Sequence, residues 1–380
     1  MSGEVERRST DWPLVVAIFV GGLLAAGQFA KVSLGLPQIG VAFDAPATRL
    51  AYLVSILGVV GIIGGAMAGG VVAAWGAARV LVWSMVLGGG LSLLQAFLPP
   101  LPVFAGLRVV EGLSHLGVVV SAPPLMAGLA SDRDRPMVMS IWASFFGVAF
   151  AIGAVIFPWV LNQGGIALVL ALHGIAMLVV AGLLVSRLQR QIRAPLRLDP
   201  WRVHARIYSR PDLFAPGLGF VFYTLTYVAL LTLLPMRLGQ PWLATGLPLL
   251  GLAGTFAAGP AMRRIAPPRV AACGFAAMAV LGVPLLLGWT LALLPLFLIM
   301  GIVPAASFAM IPYLNRGLPD RAQATGCIAQ LGNVGTTLGT PFFAICLGVG
   351  GLGLLYLALI AVALAGLVTV LMLARLTTPA

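Results

Sequence analysis

One short stretch of the sequence combines residue types that bind anions and exchange protons. Arg108, Glu111, Gly112 and His115 follow each other at i, i+3, i+4 and i+7, the spacing that places side chains on one side of a helix. A guanidinium presents a planar fork to an anion, and histidine changes its charge near neutral pH. The chemistry predicted for this polar face is anion binding, proton exchange, or both.

The sequence around this face is apolar. The run from 102 to 130 has no acidic or basic residue beyond Arg108, Glu111 and His115, and it exceeds the about 20 residues that cross a bilayer. A charge at the bilayer centre costs about 2.5 to 3.5 kcal/mol. We therefore expect Arg108 and Glu111 to face each other, another polar group or water.

The composition places the chain in a membrane. Hydrophobic residues make up 61% and charged residues 8% of the 380 positions, against about 25% charged in soluble domains. The formal net charge of +12 does not indicate a nucleic-acid partner, because the basic residues are spread through the predicted loops. Cys273, Cys327 and Cys346 lie in or beside apolar runs and suggest no disulfide framework. No metal, nucleotide or hydrolase motif occurs, so we expect no cofactor, no metal and no enzymatic activity.

Twelve apolar runs are long enough to form transmembrane helices. They are 13–38, 48–74, 79–99, 102–130, 136–161 and 164–186, then 213–236, 243–262, 269–288, 290–314, 322–348 and 350–374. When successive connections are assigned to alternate sides, 18 of the 22 basic residues share the side of both termini. Because basic loops stay in the cytoplasm, the sequence predicts a multi-pass protein of the cell inner (cytoplasmic) membrane with both termini cytoplasmic.

The chain divides into two similar halves. We predict a cytoplasmic tail (1–12), a six-helix bundle (13–186), a basic cytoplasmic linker (187–212), a second six-helix bundle (213–374) and a cytoplasmic tail (375–380). The linker is either a solvated connector or, in part, an amphipathic helix on anionic membrane lipid. Asp134 and Asp320 are 186 residues apart, and so are Gly153 and Gly339. A repeat of this kind places a binding site near the bilayer midplane between the halves.

These features resemble the major facilitator superfamily over nearly the whole chain. The Arg108-x-x-Glu111-Gly112 stretch is similar to the family's Arg-x-x-Gln-Gly pattern in span 4, which is common in proton-driven exporters and in some anion importers. The resemblance implies an all-α membrane protein of twelve transmembrane helices, arranged as two six-helix bundles around a central cavity. By the same resemblance, spans 1, 4, 7 and 10 line that cavity.

The connection between spans 2 and 3 resembles the family's Gly-x-x-x-Asp-Arg-x-Gly-Arg-Arg motif only in part. Gly69, Gly76 and a displaced Arg79 remain, but the acidic residue and the arginine beside it are absent. The departure removes the residues of the family's ionic latch on the cytoplasmic gate. We assign gating or packing roles to these three residues and to Gly112, Gly153 and Gly339.

Lys31 in span 1 extends the polar face of span 4. Counting along the two spans places Lys31 and Arg108 at comparable depth, with Glu111 one turn deeper. Two cations and one carboxylate leave one positive charge in excess, which predicts a small organic anion bound by Lys31 and Arg108. Glu111 is then the candidate proton carrier, and His115 the candidate relay. Alternatively, Arg108 and Glu111 only brace span 4, Lys31 extends to the interface, and His115 and His173 are neutral packing residues.

The second half supplies uncharged candidates for substrate binding, namely Tyr223, Tyr227 and Ser307. The leading hypothesis is a monomeric secondary transporter that moves a small organic anion or metabolite by proton-coupled alternating access. The first alternative is a proton-driven efflux antiporter for drugs or metabolites. A membrane sensor that does not transport is the second alternative.

Overall fold

The computed structural model describes residues 9–131, 134, 137–138, 141–142, 144–188, 199–262, 264–315 and 318–377, and its regular elements are all helices. Parts of the predicted tails and linker (1–8, 189–198 and 378–380) lie outside these ranges. The α-helices are α1 Trp12–Leu34, α2 Leu36–Ala42, α3 Ala47–Leu50, α4 Tyr52–Ser55, α5 Val59–Trp75, α6 Ala77–Ala96, α7 Leu101–Leu129, α8 Phe145–Arg187, α9 Pro200–Tyr208, α10 Pro211–Leu238, α11 Leu243–Met262, α12 Pro267–Leu286, α13 Leu293–Met300, α14 Ile302–Leu314 and α15 Leu318–Leu376.

Ten helical stretches of the described chain are long and apolar enough to cross a membrane. Two helices far exceed one crossing: α8 has 43 residues and α15 has 59. Both leave helical geometry at a glycine pair, Gly164–Gly165 in α8 and Gly350–Gly351 in α15. The second glycine of each pair has a positive φ, 64° and 61°, which residues with a Cβ rarely adopt. Each pair lies at or next to a predicted connection between spans.

Helix α7 packs closely on the region where α4 gives way to α5. The backbone there forms a 3₁₀ segment, Ile56–Gly58. Gly112 permits the contact, because a Cβ at this position would overlap the carbonyl oxygen of Leu57. The close approach brings the Arg108 side chain, one turn earlier on α7, to the same backbone segment.

Helices α5 and α15 join the first and second halves of the chain. Glycines of the first half lie against polar residues of α15, so that Gly58 faces Thr337, Gly61 faces Asn333 and Gly65 faces Gln330. The Gln330 amide donates a hydrogen bond to the Ile62 carbonyl over 2.6 Å. Small residues on α5 therefore let the polar side of α15 approach its backbone.

One further contact joins the two halves, and another joins the linker to α15. The hydroxyls of Ser33 on α1 and Thr232 on α10 are 2.6 Å apart and buried. On the linker helix α9, the Tyr208 hydroxyl donates to Gln330 Oε1 over 3.0 Å. Gln330 thus contacts both α5 and the linker.

Asp320, at the start of α15, anchors the linker. Its carboxylate accepts hydrogen bonds from Arg206 over 2.9 Å and from Arg210 over 3.0 Å. The hydrogen bond from Arg210 holds the pKa of Asp320 below its ordinary value, and the charges of both arginines act in the same direction. These ion pairs therefore attach the linker to the second half of the chain.

Candidate functional site

Three charged side chains form a buried cluster in the first half of the chain. Lys31 Nζ lies 2.6 Å from Glu111 Oε1, and Arg108 Nη1 lies 2.5 Å from Glu111 Oε2. All three side chains are fully buried. One carboxylate therefore carries a separate cation on each of its oxygens.

Arg108 is also bound to the backbone of the first half. Its Nε donates to the Leu53 carbonyl over 3.0 Å and its Nη2 to the Val54 carbonyl over 3.2 Å. These carbonyls precede the 3₁₀ segment at Ile56–Gly58, where regular α-helical bonding is interrupted. The guanidinium thus links Glu111 to the backbone of α4, directly before the 3₁₀ segment.

Helix α6 contributes two polar side chains to the cluster. Ser92 Oγ accepts a hydrogen bond from Lys31 Nζ over 2.7 Å, and the Gln95 amide donates to Glu111 Oε2 over 2.8 Å. Glu111 consequently accepts from three donors, two of them charged. Hydrogen bonds that involve a charged group are stronger than neutral ones, so this arrangement favours the ionised carboxylate.

The charge of the cluster does not cancel. Two cations and one carboxylate leave one excess positive charge, and no other acidic side chain of the described residues pairs with Lys31 or Arg108. An uncompensated charge in a low-dielectric interior is costly. A buried site of this kind gains stability from binding an anion or from losing a proton.

The two histidines of the first half differ in their connection to the cluster. Ser92 Oγ lies 3.2 Å from His173 Nδ1, while the Nε2 atom of His173 is 2.9 Å from the Leu24 carbonyl. His115, which we predicted as the relay, instead has Nδ1 3.0 Å from the Ala25 carbonyl and packs edge-on against Phe29. Among the described residues, only His173 of these two is hydrogen-bonded to the cluster.

The predicted substrate contacts of the second half lie on a separate aromatic face. Tyr223 and Tyr227 have ring centroids 5.2 Å apart, and Tyr227 packs against Phe297. The Tyr227 hydroxyl approaches the first half at Gly147, since a Cβ there would lie 3.7 Å from it. Ser307 is fully buried, and its hydroxyl has no hydrogen-bond partner among the residues that the structure describes.

The residues assigned to gating and packing occupy different environments. Gly76 connects α5 and α6 with a φ of 87°, whereas Gly69 is exposed and a Cβ there would contact nothing within 4 Å. A Cβ on Gly339 would overlap the Leu225 carbonyl of α10, and one on Gly153 would lie 3.1 Å from Leu34. Arg79 is partly buried and forms no ion pair with the residues that the structure describes.

Sequence reasoning missed the α6 side chains and the role of α8. Ser92 and Gln95 are three residues apart, so they share a helical face with few other polar groups near it. This spacing is a sequence feature from which a polar face on this span could have been predicted. His173 was considered only as a packing residue, because nothing in the sequence connects it to a lysine 142 positions away.

The fold and the cluster define a multi-pass helical membrane protein with a buried ionic site. The sequence matches the family model of the Major Facilitator Superfamily over residues 18–315, most of the chain. The chain belongs to this superfamily, whose members are membrane transporters of small molecules. No curated protein matches it at a significant level.

Proposed function

We propose that this protein is a secondary transporter that couples proton movement to the transport of a small organic anion. The observation that carries the proposal is the convergence of Lys31 and Arg108 on Glu111 in a fully buried site. Ionisable groups inside a membrane are costly and most often serve ion or substrate pathways. A cluster with one excess positive charge offers both a proton to release and a field that attracts an anion.

In this conformation the two cations act on a substrate through their charge. Lys31 donates to Glu111 and Ser92, and Arg108 donates to Glu111 and two backbone carbonyls. The aromatic face of Tyr223 and Tyr227 supplies a complementary apolar surface from the second half. Charge attraction from one half and shape recognition from the other fit a small anion with an apolar part.

Twelve transmembrane helices in two six-helix bundles form part of this proposal. A helix of 43 residues measures about 65 Å at 1.5 Å per residue, about twice the thickness of the hydrocarbon core. The glycine pairs in α8 and α15 mark the positions where each of these long helices reverses direction across the membrane. They are separated by 186 residues, the same offset as Asp134 and Asp320.

Asp134 and Asp320 further support the repeat relation between the two halves of the chain. Thr10, just before α1, donates to Asp134 over 2.6 Å, as Arg206 and Arg210, before α10, donate to Asp320. The entry to each half is thus held by an aspartate of the same half. With the basic linker in the cytoplasm, both termini lie on the cytoplasmic side of the inner membrane, and we propose a monomer.

Alternating access requires the contacts between the halves to separate at one end at a time. The Ser33–Thr232 hydrogen bond lies near the end of α1 remote from the N-terminus. The Gln330–Ile62 contact lies nearer the linker, because Tyr208 binds the same amide group. We propose that these two contacts belong to the gates on opposite sides of the membrane.

Purified protein in proteoliposomes tests the proposal. Lactate, succinate and citrate are added under an imposed pH gradient, and the internal pH is followed with a trapped dye. Solute-dependent proton movement that disappears in Glu111→Gln supports the proposal. Efflux of cationic dyes without carboxylate transport would favour the drug-efflux alternative, and no solute movement of either kind would favour a sensor.

A further inference from the structure

Lys31 is the only lysine in the chain, which otherwise uses 21 arginines as its basic residues. An arginine stays protonated in proteins, whereas a buried lysine releases its proton far more readily. The single lysine is also one of the largest fully buried side chains. The chain therefore places its only ammonium side chain inside the ionic cluster.

Charge balance favours Lys31 over Glu111 as the proton carrier. With all three groups ionised, the cluster has a net charge of +1. Protonation of Glu111 would raise this charge to +2 and leave two buried cations unpaired. Loss of a proton from Lys31 would instead leave the neutral Arg108–Glu111 pair. In a low-dielectric interior the second change is the less costly.

A hydrogen-bonded chain leads away from Lys31. Lys31 Nζ donates to Ser92 Oγ over 2.7 Å, Ser92 Oγ donates its hydrogen to the Leu170 carbonyl over 2.8 Å, and the same oxygen lies 3.2 Å from His173 Nδ1. His173 Nε2 faces the Leu24 carbonyl, which only accepts, so Nε2 carries a hydrogen. In the neutral ring Nδ1 then has a free lone pair directed at Ser92.

The three residues of this hydrogen-bonded path differ in burial. Lys31 and Ser92 are 0% exposed, while His173 is 7% exposed. Gly27 makes room for the imidazole, since a Cβ there would lie 3.1 Å from His173 Nε2. His173 is thus the least buried of the three residues.

We propose that Lys31 carries the coupling proton and passes it through Ser92 to His173. This inference rests on the proposed proton coupling and names its carrier and path. The Ser92 hydroxyl first turns its hydrogen from the Leu170 carbonyl to His173 Nδ1. The Lys31 N–H bond then breaks and its proton moves to Ser92 Oγ, while the Ser92 hydroxyl proton moves to His173 Nδ1. Lys31 becomes a neutral amine, His173 becomes an imidazolium and Ser92 keeps one proton. Glu111 stays ionised and serves as the fixed counter-ion.

The charged groups around the path are few. The charges of Arg108 and Glu111 on α7 act on both Lys31 and His173, and the charge of Lys31 also acts on His173. Helix α6 presents only the uncharged Ser92 and Gln95. His115 on α7 is bound to α1 backbone and takes no part in the path.

The single lysine makes the proposal directly measurable without any solute. Protein labelled with ¹⁵N in lysine and histidine is placed in lipid nanodiscs and titrated by NMR, with the histidine signals assigned from single His→Gln variants. We expect one lysine signal that changes from ammonium to amine as the pH rises, and a His173 signal that changes in the same step. Ser92→Ala should reduce this coupling to the through-space effect of the Lys31 charge on His173, whereas Ser92→Thr, which keeps the hydroxyl, should retain it in full.

Ser114→Ala is the matched control, because Ser114 is an equally buried serine that binds Gln28 outside the path. It should leave the coupled titration unchanged. The proposal is overturned if Lys31 remains an ammonium over the whole pH range in which the protein stays folded, or if Ser92→Ala leaves the coupling intact. Neither result would alter the proteoliposome test of Glu111→Gln, so the transport proposal stands or falls separately.

Discussion

Lys31 and Glu111 are 80 residues apart in the sequence, and their charged atoms lie 2.6 Å apart in the folded chain. The pair joins α1 to α7. Arg108 connects the same carboxylate to the backbone of α4, and Gln95 connects it to α6. A change of charge at any one of these groups therefore acts on four helical segments at once, which suits a site that must link protonation to helix movement.

Glu111→Gln should destabilise the protein far more than Lys31→Met. The first change leaves two buried cations without a counter-ion, which costs about 3 to 5 kcal/mol. The second leaves the neutral Arg108–Glu111 pair, so we expect a cost of about 1 kcal/mol. Thermal unfolding of the purified variants measures the difference. Equal melting temperatures for the two variants would show that the cluster is not held together by charge balance.

Gly112→Ala should separate α7 from the backbone that precedes α5. The added Cβ would overlap the Leu57 carbonyl, and overpacking of this kind costs about 1 to 3 kcal/mol. Gly106→Ala is the control on the same helix, because a Cβ there contacts nothing within 4 Å. We expect Gly106→Ala to leave the melting temperature unchanged or to raise it, and a similar loss in both variants would contradict the packing argument.

A disulfide between Ser33→Cys and Thr232→Cys should lock one contact between the halves. The two hydroxyls are 2.6 Å apart, so cysteines at these positions are close enough to oxidise. The experiment uses a background without Cys273, Cys327 and Cys346. We expect the oxidised protein to lose transport and to recover it with a reductant.

The cross-link itself is measured on a gel. Trypsin cleaves the arginine-rich linker, after which the two halves should migrate together without reductant and apart with it. Ser33→Cys paired with Thr226→Cys, six residues earlier on α10, should not cross-link. Full transport by the oxidised Ser33→Cys/Thr232→Cys protein would show that this contact does not need to open.

Asp320→Asn should loosen the linker. The change removes the ionic partner of Arg206 and one of the two ionic partners of Arg210, which keeps its pair with Asp212; the partly exposed network that is lost is worth at most about 1 kcal/mol. We expect a few-fold faster tryptic cleavage after Arg206 at neutral pH, whereas Arg210 precedes Pro211 and is not a tryptic site. Asp199→Asn is the control, because its pair with Arg202 is largely exposed and Asn caps a helix as well as Asp does.

The contribution of Asp320 should also depend on pH. Its pKa is lowered in the folded protein by the hydrogen bond from Arg210, so its stabilising effect is complete above the unfolded value of about 3.9. The effect is lost as the pH falls through the lower folded pKa. Hydrogen exchange in α9 should therefore distinguish wild type from Asp320→Asn at neutral pH and converge for the two in strong acid. A difference that persists in strong acid would contradict this assignment.

The sequence predicted the family, the helical fold and the three charged residues, because hydropathy and intramembrane charge are strong local signals. It did not predict how those charges are used. Counting residues placed Lys31 and Arg108 at similar depth, but only the packing of α6 shows that Ser92 and Gln95 complete the cluster. The choice between His115 and His173 depends on helix rotation and on contacts across 149 positions, which no spacing rule contains.

The most direct test of the account is proton movement by Lys31→Met in proteoliposomes. This variant keeps the neutral Arg108–Glu111 pair, so it should fold and insert with a melting temperature close to that of the wild type. With lactate, succinate or citrate under a pH gradient, we predict that the wild type moves protons with the solute and that Lys31→Met does so no faster than empty liposomes. Proton movement at the wild-type rate in folded Lys31→Met would contradict the role of the buried cluster in coupling.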